Sequence, residues 1–225
     1  MAQGTDYVEC AKILKNSIIR NMPESHVTIV TTDMLLHGDQ APDTNWKLQN
    51  DWQVYEVSPY EYTIKLEADM YISEDISYWF NILKERDIVV SSTIRNFHNE
   101  ISNVKVYRKF ITDNNLPDVY NAITYFRKSE LAEKFFQLTR NVWENWEEYK
   151  TILKCNPDEI ATTDWVYSIA CHILGVENTT IPGFNQMCMV HMKKYVNDLF
   201  TDNWTTELLY EYHNDILKIN TVPQR

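Results

Sequence analysis

The first 95 residues alternate between helical and strand periodicity, and this alternation narrows the fold more than any other feature. Tyr7, Cys10, Ala11, Leu14 and Ile18 recur at helical spacing, which predicts an amphipathic helix ended by Pro23. The β-branched run HVTIVTTD at 26–33 predicts a buried strand. A loop with Gly38 and Pro42 follows, and then a short helix over 46–56. In EYTIKLEADMYI (61–72), Tyr62, Ile64 and Leu66 alternate with Thr63, Lys65 and Glu67. That is strand periodicity running directly into the acidic triplet Glu67-Ala68-Asp69. Ser73-Glu74-Asp75 opens another helix, and DIVVSST (87–93) is another strand. Such alternation predicts a layered α/β architecture with a largely parallel sheet.

The second half continues the pattern more loosely. RKF at 108–110 opens a short helix and VYNAITYF (119–126) is a strand. A long helix is expected from Ser129 to Tyr149, with Leu131, Phe135, Leu138, Val142, Trp146 and Tyr149 on one stripe. Thr162 or Thr163 caps a further helix whose core face is Val166, Ile169, Ala170 and Ile173, and Gly175 stops it. TTIPGF, MCMVHM and a segment around 206–220 read as short strands and turns. With no repeat, low-complexity tract or linker, residues 1–225 read as a single domain.

Composition removes whole classes of function. There are only 4 glycines, Gly4, Gly38, Gly175 and Gly183, too scattered for a GxGxxG or GxxxxGK[ST] phosphate cradle. The net charge of −11 opposes non-specific binding of DNA or RNA, so an anionic ligand needs local lysines or a bridging cation. Cys10, Cys155, Cys171 and Cys188 have no CxxC spacing and read as buried thiols of a reducing, cytoplasmic compartment. MAQGTDYVECAK is too polar for a signal peptide, and no run of about 18 apolar residues suggests a membrane span.

The triplet carries the chemistry. Two carboxylates at i and i+2, at the end of an apolar strand, stand at the sheet edge where α/β proteins bind ligands. There they suit a hard divalent cation, which in turn grips a diphosphate. A solvated acidic turn is the competing reading. Glu144, Glu147 and Glu148 read as the wet face of the long helix, and Phe135, Phe136, Trp143 and Trp146 as core.

IKLEADMYI resembles the DxD strand of GT-A-fold glycosyltransferases, with Glu67 in place of the first Asp. DYVECAKILKNSIIRNMPESHVTIVTTD is similar to the opening of glycogenin-like and galactinol-synthase-like transferases. YNAITYFRKSELAEKFF, TTDWVYSIA and, more weakly, MVHMKKY resemble their later elements in the same order, over residues 5–195. The pattern is also similar to glycosyltransferase-like proteins of tailed phages, which would place the chain in a host cytoplasm. The resemblance implies a GT-A-like, Rossmann-type layered sheet flanked by helices. Because the first helix begins so early, the family's first strand is expected to be short or missing, reduced to MAQG. A nucleotide-sugar half at 1–95 and an acceptor half at 96–225 follow from the same resemblance.

The implied activity is metal-dependent transfer of a sugar from a nucleotide-diphosphate donor to an acceptor, with Mn²⁺ or Mg²⁺. Asp69, Glu67 and His191 would hold the metal, and Glu67 also contacts the donor. Tyr7 and Lys193, or Lys194, would bind the donor base and diphosphate. Asp164 and Asn121 would act at the reacting sugar or acceptor. Each has a plainer alternative: His191 packed between methionines, Lys193 solvated, Tyr7 at a core edge, Asp164 favouring a helix dipole. Lys47 and Lys65 read as ordinary surface lysines or as weak phosphate ligands. Two rival functions stand beside the enzyme. One is a non-catalytic GT-A-like binding or assembly module, which exposure of Trp143 and Trp146 in an oligomer interface would favour; the other is a phage-type transferase acting on nucleic-acid bases, which the charge disfavours.

Overall fold

The computed structural model describes residues 1–41, 48–95, 101, 108–181 and 187–190, together with the strands at 208–213 and 216–221. Helix α1 spans Thr5–Asn21, with Asp6 in its first turn and Arg20 in its last, both favourable to the helix dipole. A 3₁₀ turn at Leu48–Gln53 leads into α2 (Val54–Val57) and then β1 (Tyr62–Leu66). Next come α3 (Tyr78–Leu83), β2 (Ile88–Ser91), β3 (Ile94–Arg95), α4 (Lys109–Asp113) and β4 (Tyr120–Arg127). Four helices follow: α5 (Glu130–Glu144), α6 (Trp146–Ile152), α7 (Thr163–Leu174) and α8 (Val176–Thr179). The last strands are β5 (Met189–Val190), β6 (Leu208–His213) and β7 (Ile216–Thr221).

The main sheet has the order β1-β4-β2, and both pairings are antiparallel. The expected largely parallel sheet is therefore corrected. β1 and β2 do run in the same direction, with α3 between them in the chain, but the later strand β4 enters between them the opposite way. Alternation along the chain constrains neighbours in sequence; it does not reveal which distant strand intervenes. β4 is buried over nearly its whole length, and only a central position covers both of its faces. The two-residue pairing of β3 with β5 is parallel, and β6 and β7 form an antiparallel hairpin.

Each sheet face has its own helical layer. Val89, Ile123 and Tyr125 pack with Leu14, Ile18 and Met22 around α1 and with Trp79 and Leu83 of α3. The alternate residues Ile88, Val90 and Phe126 meet Phe135, Phe136, Tyr167 and Ala170 of α5 and α7. The result is a mixed α/β single domain with a small antiparallel sheet between helices. Trp52, Phe110, Trp143, Trp146 and Val166 form a third cluster. Trp143 and Trp146 are buried there, so neither is offered as the exposed contact the assembly reading needed.

Three local expectations change. Residues 26–31 form no strand; a 3₁₀ turn occupies Thr32–Met34, and one backbone bond, Ala2 N–H to Val30 C=O at 2.8 Å, is their tie to a neighbour. The long helix breaks at Asn145, whose φ of −116° leaves the helical region. Ile173 is 53% exposed, and the core face of α7 is Val166, Tyr167, Ile169, Ala170 and Cys171. Thr162 caps α7 by accepting the Trp165 N–H at 3.3 Å, and Gly175 ends it at φ 94°. Cys171 is buried, and burial pushes its thiol up to about 12. Cys10, Cys155 and Cys188 are only half-buried, and no disulfide joins any of the four cysteines. Among the described residues no helix is long and apolar enough to cross a membrane.

Candidate functional site

Glu67 and Asp69 flank a turn immediately after β1. The Glu67 N–H still donates to Ala122 C=O at 3.1 Å, so the first carboxylate is fixed to the sheet. Ala68 is buried against Ala2 and Ala11, with Val8 and Ile29 beside them, and this leaves Asp69 exposed. Glu67 is half-buried. Burial is the main influence on its carboxyl and pushes it up to about 6; Lys65 opposes the shift, while Asp164, Asp69 and Asp51 add to it.

Asp164 sits in the first turn of α7 and reaches the start of β4. Its Oδ1 accepts the Asn121 backbone N–H at 2.9 Å, and its Oδ2 lies 3.4 Å from Arg108 Nη2. Arg108 is buried, donates to Asp118 at 2.5 Å and to Val119 C=O at 2.6 Å, and lies over the Tyr120 ring at 4.2 Å. Burial works against its charge, but Asp164 and then Asp118 hold the guanidinium protonated more firmly than usual. Asp164 is thus engaged on both oxygens. Asn121 is buried, and its carbonyl accepts from Lys65 Nζ at 3.0 Å.

Beneath the carboxylates lies a buried polar network that sequence reasoning missed. Asp51 Oδ2 accepts from Lys65 Nζ at 2.9 Å and from the Tyr167 hydroxyl at 2.5 Å. Lys65 is accordingly a buried structural cation, not a surface lysine or a phosphate ligand. A lysine between Ile64 and Leu66 was a signal of sorts, since a charge inside a buried strand needs a partner. Nothing in the local pattern marks Asp51 or Arg108.

Tyr7 is 51% exposed on α1 and makes no hydrogen bond or ring contact with the carboxylates among the described residues. His191, Lys193, Lys194 and Lys47 lie outside the described residues. Among the described residues, no three His, Cys, Asp or Glu side chains converge on a point that could hold a metal ion. Glu67 and Asp69 nonetheless suit one chemically: they are two hard oxygen donors at the end of one strand, and burial, with Asp164, Asp69 and Asp51 adding to it, already raises Glu67. The structure thus brings Glu67, Asp69, Asp164 and Asn121 to one end of the β1–β4 pair.

Comparison with known protein families, with curated proteins and with solved structures finds no match for this chain.

Proposed function

We propose that this chain is a metal-dependent glycosyltransferase that uses a nucleotide-sugar donor. The observation that carries the reading is the Glu67-Ala68-Asp69 turn at the end of a sheet strand, with Glu67 pushed up to about 6 by burial, to which Asp164, Asp69 and Asp51 add. Glu67 and Asp69 would hold Mn²⁺ or Mg²⁺, with His191 as the third ligand. A cation there supplies positive charge against the leaving diphosphate. Asp164, fixed by Arg108 and by the Asn121 N–H, orients a sugar or acceptor hydroxyl, and Lys193 reaches the donor phosphates.

The experiment is Mn²⁺ titration with a panel of nucleotide-sugars, reading donor hydrolysis on the wild type and on Asp69→Ala. Metal-dependent hydrolysis that Asp69→Ala abolishes supports the enzyme. Absence of donor binding and hydrolysis, with Asp69→Ala unchanged, overturns it. A second reading, a non-catalytic binding module, is favoured by one observation: both oxygens of Asp164 already serve structural partners. That reading expects nucleotide binding without turnover.

A further inference from the structure

A cavity of about 360 Å³, the size of a small-molecule site, lies between α5 and the segment that carries the Leu48–Gln53 turn and α2. Its floor is aromatic. Trp52 and Phe136 are buried there, and Tyr55 stacks on Phe136 with ring centroids 5.6 Å apart. Its rim is polar. Glu133, Gln137, Arg140, Asn141 and Glu144 recur at helical spacing along one face of α5, and Glu56 stands across from them.

The groups these side chains leave unused define a ligand. Trp52 is only 4% exposed, yet its indole N–H has no hydrogen-bond partner among the described residues. The unpaired indole N–H groups of Trp79 and Trp143 are sealed in the interior, and that of Trp52 is not. Arg140 spends Nε on Glu144 at 2.7 Å and lies 4.7 Å over the Trp52 ring, so both of its Nη groups remain as donors. Asn141 Oδ1 accepts from the Tyr149 hydroxyl at 3.0 Å, which leaves the Asn141 amide N–H groups. Glu133 gives one oxygen to Gln137 at 3.0 Å and Glu56 gives one to His37 at 2.6 Å, and each keeps a second oxygen as acceptor. Three carboxylates around one guanidinium disfavour an anion, and the unpaired donors disfavour a bare cation. An apolar guest would strand all of these groups. Hydroxyls each donate and accept, so a polyhydroxylated molecule satisfies both sets.

We propose that this cavity is a binding site for a neutral saccharide. The sugar hydroxyls accept from Trp52, Arg140 and Asn141 and donate to Glu56 and Glu133, while the C–H face of the ring rests on the aromatic floor. The Trp52 ring is held between two neighbours, His37 at 4.9 Å and Arg140, so its donor is fixed before a ligand arrives. The inference is independent of the glycosyltransferase reading, since the site shares no group with Glu67, Asp69, Asp164 or Asn121.

The test is an NMR titration of the full, isotope-labelled chain with glucose, galactose, mannose, maltose, cellobiose and lactose, read at the tryptophan indole N–H signals with no metal or nucleotide present. The expected result is a saturable shift of the Trp52 signal with at least one sugar, while the sealed Trp79 and Trp143 signals stay in place. Arg140→Met removes a charged donor and should weaken that binding at least about tenfold, and Asn141→Ala should weaken it about threefold. Unmoved Trp79 and Trp143 signals in each variant report that it is folded. Inorganic phosphate and spermidine, an anion and a cation, should leave the Trp52 signal unchanged. No saturable Trp52 shift with any sugar, sugar binding that Arg140→Met leaves intact, or a Trp52 shift with phosphate or spermidine alone each overturns the proposal. Because the readout is binding without turnover, a failure of donor hydrolysis leaves it standing.

Discussion

Asp164 fastens the first turn of α7 to the first residues of β4, its Oδ1 accepting the Asn121 backbone N–H at 2.9 Å while Oδ2 faces Arg108 at 3.4 Å. Asp164→Ala should therefore cost about 1–3 kcal/mol in urea unfolding, because a backbone donor and a buried guanidinium each lose a partner. Asp164→Asn keeps a carbonyl acceptor for the Asn121 N–H and should lie closer to wild type. If the residue also serves the reaction, both variants lose donor turnover, whereas a purely structural Asp164 leaves turnover intact in the Asn variant.

Glu67 ties stability to pH with a definite sign. Its folded value, about 6, lies above the ordinary 4.5, so the folded state binds the extra proton between them. Stability from this group falls as pH rises from about 4.5 through 6 and stays reduced above that. Glu67→Gln should be more stable than wild type by about 1–2 kcal/mol at pH 7, with the gap closing below about pH 4.5. Thermal melts of the two proteins across that range check it; a gap that does not narrow in acid refutes the assignment.

The same shift changes how metal binding must be read. An ordinary carboxylate site would keep Mn²⁺ until nearer pH about 4, and a histidine ligand would lose it near about 6.5. With Glu67 at about 6, wild type and His191→Ala should both weaken below that pH, so the two causes overlap. Calorimetric Mn²⁺ titrations in the presence of nucleotide diphosphate separate them only when His191→Ala is joined to Glu67→Gln. A curve that stays steep in each single variant and flattens only in the double one assigns both groups to the site.

Lys65→Met strands Asp51 in the interior with only the Tyr167 hydroxyl, and about 3–5 kcal/mol should be lost. Adding Asp51→Leu removes the stranded charge and should recover part of that loss. Denaturant titrations of both variants are decisive, and a double variant no better than the single one would place the damage elsewhere.

Gly175 holds φ 94°, and a Cβ there would lie 2.6 Å from Glu177 Oε1. Gly175→Ala should cost about 1–2 kcal/mol through backbone strain, read as a fall in Tm.

These relationships mark where sequence patterns inform and where they stop. Strand β1 ending at the acidic triplet, β4, α1 and the Thr162 cap are all local patterns: an apolar alternation, a continuous buried run, a helical stripe, a hydroxyl before a helix. Each is set by neighbours within a few residues, and each is legible. The place of β4 between β1 and β2 is not local, so periodicity cannot carry it. Residues 26–31 have strand composition but form no ladder, since a strand needs an adjacent backbone as well as β-branched side chains. Arg108 and Asp51 meet their partners only through the tertiary fold, and their sequence surroundings carry no trace of it.

The central position of β4 has a consequence for how the chain is made. Its register joins Tyr62 to Arg127 and Ile88 to Phe126, so neither outer strand has its partner until the chain has grown past Arg127. At roughly 5–20 residues per second of synthesis, β1 waits on the order of 3–13 s for it. During that interval Ile64, Leu66, Val89 and Val90 are apolar segments with open backbones, the kind that pair with the wrong neighbour. For a nascent copy of this protein, the hazardous stage of birth closes when one eight-residue strand slides between two that preceded it.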